Sequence, residues 1–190
     1  SPKAVSLFPG AIECSKKELE RISNLKNTSD VIAVSKIPKD LNYENDEKPI
    51  IYLDNINDPG NLGSIIRSLD WFGFKHVFCS HNTVDQYNNK AIMASMGSIF
   101  RIQAHYIDYQ DLKKKFTNHT LYISSLKGDN IKEIQFIKKA IMVIGNESKG
   151  VSDEIKKNKH QSIKITGTGK AESLNAGVAT GIILYEMINY

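Results

Sequence analysis

Glu147 stands in Gly145-Asn-Glu-Ser-Lys-Gly150, directly after the apolar run Ala140-Ile-Met-Val-Ile144. A carboxylate at such a place can orient or accept a proton. The two glycines let a backbone come close to a ligand. A capping carboxylate in a strand-to-helix turn explains the same residues equally well. Asn61 and Arg67 lie in Asn55-Ile-Asn-Asp-Pro-Gly-Asn-Leu-Gly-Ser-Ile-Ile-Arg67, where a Gly- and Asn-rich turn opens a helix. Capping is the plain explanation for Asn61, and a solvated surface position for Arg67, which falls off the apolar stripe. Ser173 and Asn175 sit at the mouth of the apolar run in Glu172-Ser-Leu-Asn-Ala-Gly-Val-Ala-Thr-Gly-Ile-Ile-Leu-Tyr-Glu-Met187. There a helix N-cap at Ser173 competes with a functional role.

Several chemistries are disfavoured at once. A Walker loop ends Gly-Lys-Ser/Thr, whereas Lys149 precedes Gly150, and Glu147 would repel phosphate. The three glycines of a dinucleotide fingerprint are missing. Cys14 and Cys79 form no pair or cluster with ligand spacing, which indicates neither a disulfide framework nor a zinc site.

The elements that must position these residues alternate along the chain. Ile50–Leu53, Lys75–Cys79, Thr120–Ser124, Ala140–Ile144 and Ser162–Ile165 read as strands. Between them, helices are expected with Leu62, Ile65, Ile66, Leu69 and Phe72 on one stripe closed by Gly73, then over 88–96, 108–116 and 152–157. The last helix carries Val178, Ala179, Ile182, Ile183 and Met187 at helical spacing, with small residues that permit close packing. Alternation of this kind argues for a parallel α/β sheet with helices on both faces. Residues 1–48 hold too little apolar material to fold alone: a short helix from Ser15 to Asn24, a short strand at Val31–Val34, and a polar loop from Lys36 to Pro49.

The 190 residues suit one domain with a small appendage, and 41% hydrophobic with 24% charged residues is a globular composition. A net charge of +4 permits a polyanionic partner without requiring one. No apolar run reaches membrane-spanning length and no signal peptide is evident, so the expected setting is the cytoplasm. The lysine runs Lys113-Lys-Lys115 and Lys156-Lys-Asn-Lys159 are read as solvated or dipole-compensating helix ends, with phosphate contact as the alternative.

Taken in order, Asn-x-x-Asp-Pro-x-Asn-x-Gly-x-x-x-Arg, Gly-Asn-Glu-x-x-Gly and Ser-Leu-Asn resemble the three motifs of the SpoU (TrmH-type) RNA ribose methyltransferases of the SPOUT superfamily. The lesser feature Ala94-Ser-Met-Gly-Ser98 is similar too, and the resemblance covers residues 50 to 190. It implies a SPOUT fold with a C-terminal deep trefoil knot, which the general rule against threaded chains would not suggest. It also implies S-adenosylmethionine as cofactor, contacted at Gly145, Ile165 and Leu174 and near the loop after 120–124. Catalytic roles would fall to Asn61, Arg67, Glu147, Ser173 and Asn175, the substrate would be rRNA or tRNA, and the protein would be a homodimer that needs no metal. Residues 1–48 resemble only the end of an N-terminal substrate-binding domain, followed by a linker, with 49–190 as the catalytic domain. Thr166 replaces a proline common in the third motif, which puts cofactor affinity in question. An RNA-binding protein without turnover and a methyltransferase acting on a base both stay open.

Overall fold

In the computed structural model the described residues are 5, 7–38, 43 and 48–189. They belong to two compact units, Ser1–Asp40 and Leu41–Tyr190. In the first unit, helix α1 (Lys16–Ile22) starts at Ser15, as expected. The Glu18 amide donates to Ser15 Oγ at 3.3 Å and the Ser15 amide donates to Glu18 Oε2 at 2.8 Å, a reciprocal capping box. This helix buries no residue. Val31–Val34, expected as a strand, is irregular, and Val34 is 95% exposed. A short apolar run without a neighbouring ladder has nothing to bond its backbone. Residues 39–42 and 44–47 of the expected loop lie outside the described residues.

The second unit holds a six-stranded parallel sheet in the order β3-β2-β1-β5-β4-β6. Its elements are β1 (Ile50–Asp54), α2 (Pro59–Trp71), β2 (His76–Cys79), α3 (Asn89–Ser95), β3 (Gln103–Tyr106), α4 (Tyr109–Lys115), β4 (Thr120–Asn130), β5 (Ala140–Gly145), α5 (Asp153–Lys156), β6 (Gln161–Lys164) and α6 (Ala176–Ile188). Both faces are covered. Ile51 and Leu53 of β1 pack with Met142 and Ile144 of β5 beneath α2, α3 and α6. Ile50 and Tyr52 pack with Ile141 and Val143 against α4 and α5 on the other face. This two-sided burial explains the uninterrupted apolar runs of β1 and β5. On α2, Leu62, Ile65, Ile66 and Leu69 are fully buried. Each contributes roughly 1.5–3 kcal/mol by leaving water.

Three expectations need correction. Strand β3 carries no strand pattern in sequence, because Gln-Ala-His-Tyr has a single buried residue, Ala104. It forms by completing the edge of β2 in register from His76↔Gln103 to Cys79↔Tyr106. Strand β4 does not stop at Ser124 but runs on to Asn130 through an irregularity. Ile163 of β6 pairs with both Ser124 and Asp129, so 125–128 departs from β6 and returns to it. Gly128 lies so close to Ser162 that a Cβ would stand 2.4 Å from its carbonyl oxygen. After β6 the chain turns back to α6, which packs on α2 with contacts to β5. The strand order and this return of the chain are consistent with the expected knot of the SPOUT fold. Finally, α6 buries Ala176, Gly177, Thr180, Ile183, Leu184 and Met187, while Val178 is 53% exposed. The expected stripe through Val178 and Ile182 is rotated away from the core because Gly177 packs against Ser64 of α2.

On the α4 face, His76 and His105 of neighbouring strands meet with Nδ1 and Nε2 3.0 Å apart, against Tyr43 and Phe78. Burial first, then the charges of His76 and Lys115, push the His105 pKa down to about 4 from 6.5. A depressed histidine pKa means that the unfolded chain takes up the proton first as the pH falls. Its contribution to stability is intact above about pH 6.5 and is lost between there and pH 4. Melting curves across that window should therefore show a smaller acid-induced fall in Tm for His105→Gln than for the wild type.

Candidate active site

Strands β1 and β5 are neighbours although three other strands of the sheet separate them in sequence, and they pair from Ile50↔Ile141 to Asp54↔Gly145. The two motif loops therefore leave adjacent strand ends at the point where strand order reverses, where open α/β sheets bind ligands. Asp54, 3% exposed, accepts from the Ser152 amide at 2.6 Å and from Asn55 Nδ2 at 2.7 Å. Asn55 has φ 58°, in the left-handed region that Asn tolerates, and its amide donates to Ser80 Oγ at 2.9 Å. Asn146 ties the loops together. Its Nδ2 donates to the Asn55 carbonyl at 2.9 Å, and its Oδ1 accepts from the Ser148 and Lys149 amides at 3.0 Å. Glu147 is thus presented by a turn fixed at both ends and closed by the Asn146–Gly150 bridge.

Helix α2 begins with Asp58 as N-cap and Pro59 in its first turn. Asp58 Oδ1 accepts from the Asn61 amide at 2.8 Å, so the cap is Asp58 and the Asn61 side chain is left for other work. At α6 the cap is Asn175, not Ser173, since Asn175 Oδ1 accepts from the Gly177 and Val178 amides at 2.9 and 3.3 Å. Its Nδ2 remains and donates to Asn61 Oδ1 at 2.6 Å. Asn61 Nδ2 in turn donates to Glu147 Oε1. A relay of two amides thereby joins the Glu147 carboxylate to the N-terminus of α6, whose partial positive charge favours an anion at the far end. The relay gives Glu147 a set orientation and still leaves the carboxylate open to solvent.

Three of the five expected catalytic residues are therefore in one bonded chain. Arg67 and Ser173 are not part of it. Arg67 is exposed on α2, six residues past Asn61 and so about 9 Å along the axis. Ser173 is exposed in the loop before α6. The expected cofactor positions lie at the same edge of the sheet: Gly145 ends β5, Ile165 follows β6 half-buried against the core, and Leu174, 46% exposed, precedes Asn175. Asn146, Asn55, Asp54 and Asp58 are positioning residues that the sequence does not mark as such. All four lie in or beside the quoted motifs, but their bonds cross between segments and carry no local signature. Among the described residues, no group of three or more His, Cys, Asp or Glu side chains is placed to hold a metal ion.

The reason for glycine at 145 also differs from expectation. A Cβ there would lie 2.3 Å from the Gly150 carbonyl carbon and the Val151 nitrogen, so it would strike the protein's own returning loop rather than a ligand. Gly145→Ala should destabilise the fold by about 1–3 kcal/mol, the scale of forced overpacking. Gly167→Ala, where a Cβ has open space, should stay within about 0.5 kcal/mol of the wild type. Chemical denaturation of the two variants checks this.

A sequence model of the SpoU rRNA methylase family matches residues 48–185. Among relatives, an uncharacterized tRNA/rRNA methyltransferase of Archaeoglobus fulgidus is 35% identical over 141 residues, covering 73% of this chain and 63% of that protein. The 23S rRNA (guanosine(2553)-2'-O)-methyltransferase RlmP of Bacillus subtilis is 30% identical over 147 residues, covering 74% of this chain and 58% of that protein. Among solved structures, the SpoU methyltransferase AviRb of Streptomyces viridochromogenes in complex with AdoMet superposes with a TM-score of 0.70 at 28% identity, over 75% of this chain and 60% of that one. The chain thus spans less than two-thirds of the length of these relatives. On the family match, together with the common parallel fold, the chain belongs to the SpoU rRNA methylase family.

Proposed function

We propose that this chain transfers a methyl group from S-adenosylmethionine to a ribose 2'-hydroxyl of ribosomal or transfer RNA, in the cytoplasm. The observation that carries the reading is the Glu147–Asn61–Asn175 relay, which orients a carboxylate at the strand-order reversal. The name of the Bacillus relative and the cofactor in the Streptomyces neighbour support the reaction class. The main chain of residues 165–175 is suited to the cofactor: it lies at the C-terminal edge of the sheet, residues 166–175 are exposed, and Gly167 and Gly169 have open space around them. Gly145, Ile165 and Leu174 would hold the cofactor there. When bound, it supplies a methyl group on a sulfonium, a leaving group that needs no metal assistance.

A ribose hydroxyl is a weak nucleophile, so the protein must hold or take its proton. Glu147 orients the 2'-hydroxyl and receives its proton. Asn61 and Asn175 are positioning residues that hold Glu147, and Ser173 contacts the ribose. A guanidinium cannot serve as a base, so Arg67 acts as a donor to phosphate or to the developing oxyanion. Transfer of labelled methyl to unmodified total RNA, followed by nucleoside analysis, tests the reading. A 2'-O-methylated nucleoside is expected. A methylated base would move the target atom, and RNA binding without transfer would leave a binding protein.

The homodimer belongs to the same proposal. Trp71 is 84% exposed one helical turn beyond Arg67, and Val178 and Tyr185 are more than half exposed on the outer side of α6. A second copy covering this surface would bury the apolar side chains and bring Arg67 to an interface. Light scattering at micromolar concentration should give about twice the 21.3 kDa of one chain, and a single-chain mass would refute the dimer.

Arg67→Ala should leave stability within about 0.5 kcal/mol of the wild type, since the residue is exposed. S-adenosylmethionine affinity should also survive. Methyl transfer should fall about 100-fold or more, the scale of losing one charge-stabilising donor. Lys should rescue little, because a point charge cannot replace a planar fork of donors. Single-turnover methylation with cofactor-saturated variants measures it, and normal turnover by Arg67→Ala would remove the residue from the mechanism.

A further inference from the structure

Three buried polar side chains, Ser80, Thr83 and Gln86, lie in the turn after β2, outside the motifs and outside the relay. The turn carries the partnership of β1 and β2 beyond the ends of the strands. The Ser80 amide donates to the Leu53 carbonyl and the Val84 amide to the Ile56 carbonyl, both at 2.9 Å. Two hydroxyls fill the gap between these bonds. Thr83 Oγ1 donates to the Leu53 carbonyl at 3.1 Å and accepts from the Ile56 amide at 3.3 Å. With its one proton so used, Thr83 accepts from Ser80 Oγ, 3.2 Å away. The Ser80 oxygen in turn accepts from the Asn55 amide at 2.9 Å. The proton order of the pair is thus fixed, and all of its outward bonds go to the backbone of residues 53–56.

The turn itself rests on β3. The Tyr106 hydroxyl accepts from the Gln86 amide at 2.8 Å and donates to the Val84 carbonyl at 2.7 Å, and Gln86 Oε1 accepts from the Ala104 amide at 3.2 Å. A hydroxyl pair supported from behind can hold Asn55 at φ 58°, a left-handed conformation that a residue with a side chain keeps only under constraint from its surroundings. In that conformation the Asn55 carbonyl accepts from Asn146 Nδ2 at 2.9 Å, in the loop that presents Glu147.

We propose that Ser80 and Thr83 are positioning residues for methyl transfer: their hydroxyl pair sets the Asn55 backbone, and Asn55 through Asn146 sets where the Glu147 carboxylate stands. Most buried hydroxyls do no more than satisfy nearby backbone groups. This pair differs in the residue it bonds. Among the described residues only Asn55 and Met96 are non-glycine residues with positive φ, and of the two Asn55 is bonded to the Glu147 loop. On the reading of Glu147 as the group that takes the ribose proton, on which this assignment rests, a shift of Asn55 moves the proton acceptor and leaves the binding surfaces for RNA and cofactor in place.

Two arms test this on the whole chain, with Thr83→Val, which removes the hydroxyl at nearly constant shape, and Thr83→Ser, which keeps it. In the first, the Asn146 side-chain amide is followed by NMR and assigned by its loss in Asn146→Asp. Its signal should move towards that of solvated amides in Thr83→Val and stay in place in Thr83→Ser. A signal unmoved in Thr83→Val overturns the proposal. In the second arm, kcat should fall about 10-fold or more in Thr83→Val, since a misplacement of about 1 Å can cost 100-fold. KM for RNA and the affinity for S-adenosylmethionine should stay as in the wild type, and Thr83→Ser should recover most of the loss. Thr83→Val/Asn146→Ala should lose no more than Asn146→Ala alone, because residues that act through one another do not add. Wild-type turnover in Thr83→Val, no recovery in Thr83→Ser, or losses that multiply in the double variant would each overturn the role. Should Thr83→Val misfold, Ser80→Ala replaces it in both arms, since Thr83 then keeps its bonds to Leu53 and Ile56. The first arm needs no methyl transfer, so its failure is separate from failure of the enzyme reading.

Discussion

The pairing of β1 with β5 is the constraint on which the rest depends. These strands come from distant parts of the chain, yet each residue of β1 faces one of β5 in unbroken register. Because the strands are parallel, their C-terminal ends lie side by side, and both motif loops must leave from the same edge. Asp54 and Asn146 then convert proximity into a fixed geometry. The Asp54 carboxylate bonds the backbone beyond the second loop, and the Asn146 amide bonds the backbone of the first. Breaking the pairing would separate the two loops and leave Asp54, nearly inaccessible to solvent, without its bonds.

Small residues do the corresponding work between helices. Gly177 allows the start of α6 to lie against Ser64 of α2. That contact brings the Asn175 cap within reach of Asn61, and through it of Glu147. Packing and chemistry are thus coupled. The same rotation of α6 that buries Ile183 and Met187 turns Val178 and Tyr185 outward. A helix whose two faces are both apolar suits a layer that is covered on both sides, which is why this surface enters the proposed dimer.

The two ends of the α4 face of the sheet differ in electrostatic character. Carboxylates gather around a larger cavity beside the N-terminal end of α4, and lysines around a smaller cleft at its other end. Acidic groups near the start of a helix and basic groups near its end also complement the helix dipole. The dipole therefore accounts for this segregation along α4.

Much of the fold and part of the candidate site were legible in the residues themselves. The runs at 50–53 and 140–144 read as buried strands because both of their faces are apolar, and α2 was marked by its stripe and by Gly73. The motifs brought Asn61, Glu147 and Asn175 forward through their order along the chain. Local pattern could not reveal β3, since a strand with one buried residue owes its existence to the edge of β2. Nor could it divide labour within a motif. Which residue caps each helix, and which side chain is thereby freed, depends on hydrogen bonds between residues as far apart as Asn61 and Asn175. The glycine at 145 was visible in sequence, but the backbone it makes room for was not. Short-range periodicity records what a segment buries, whereas the partners of polar groups are chosen only when distant segments meet.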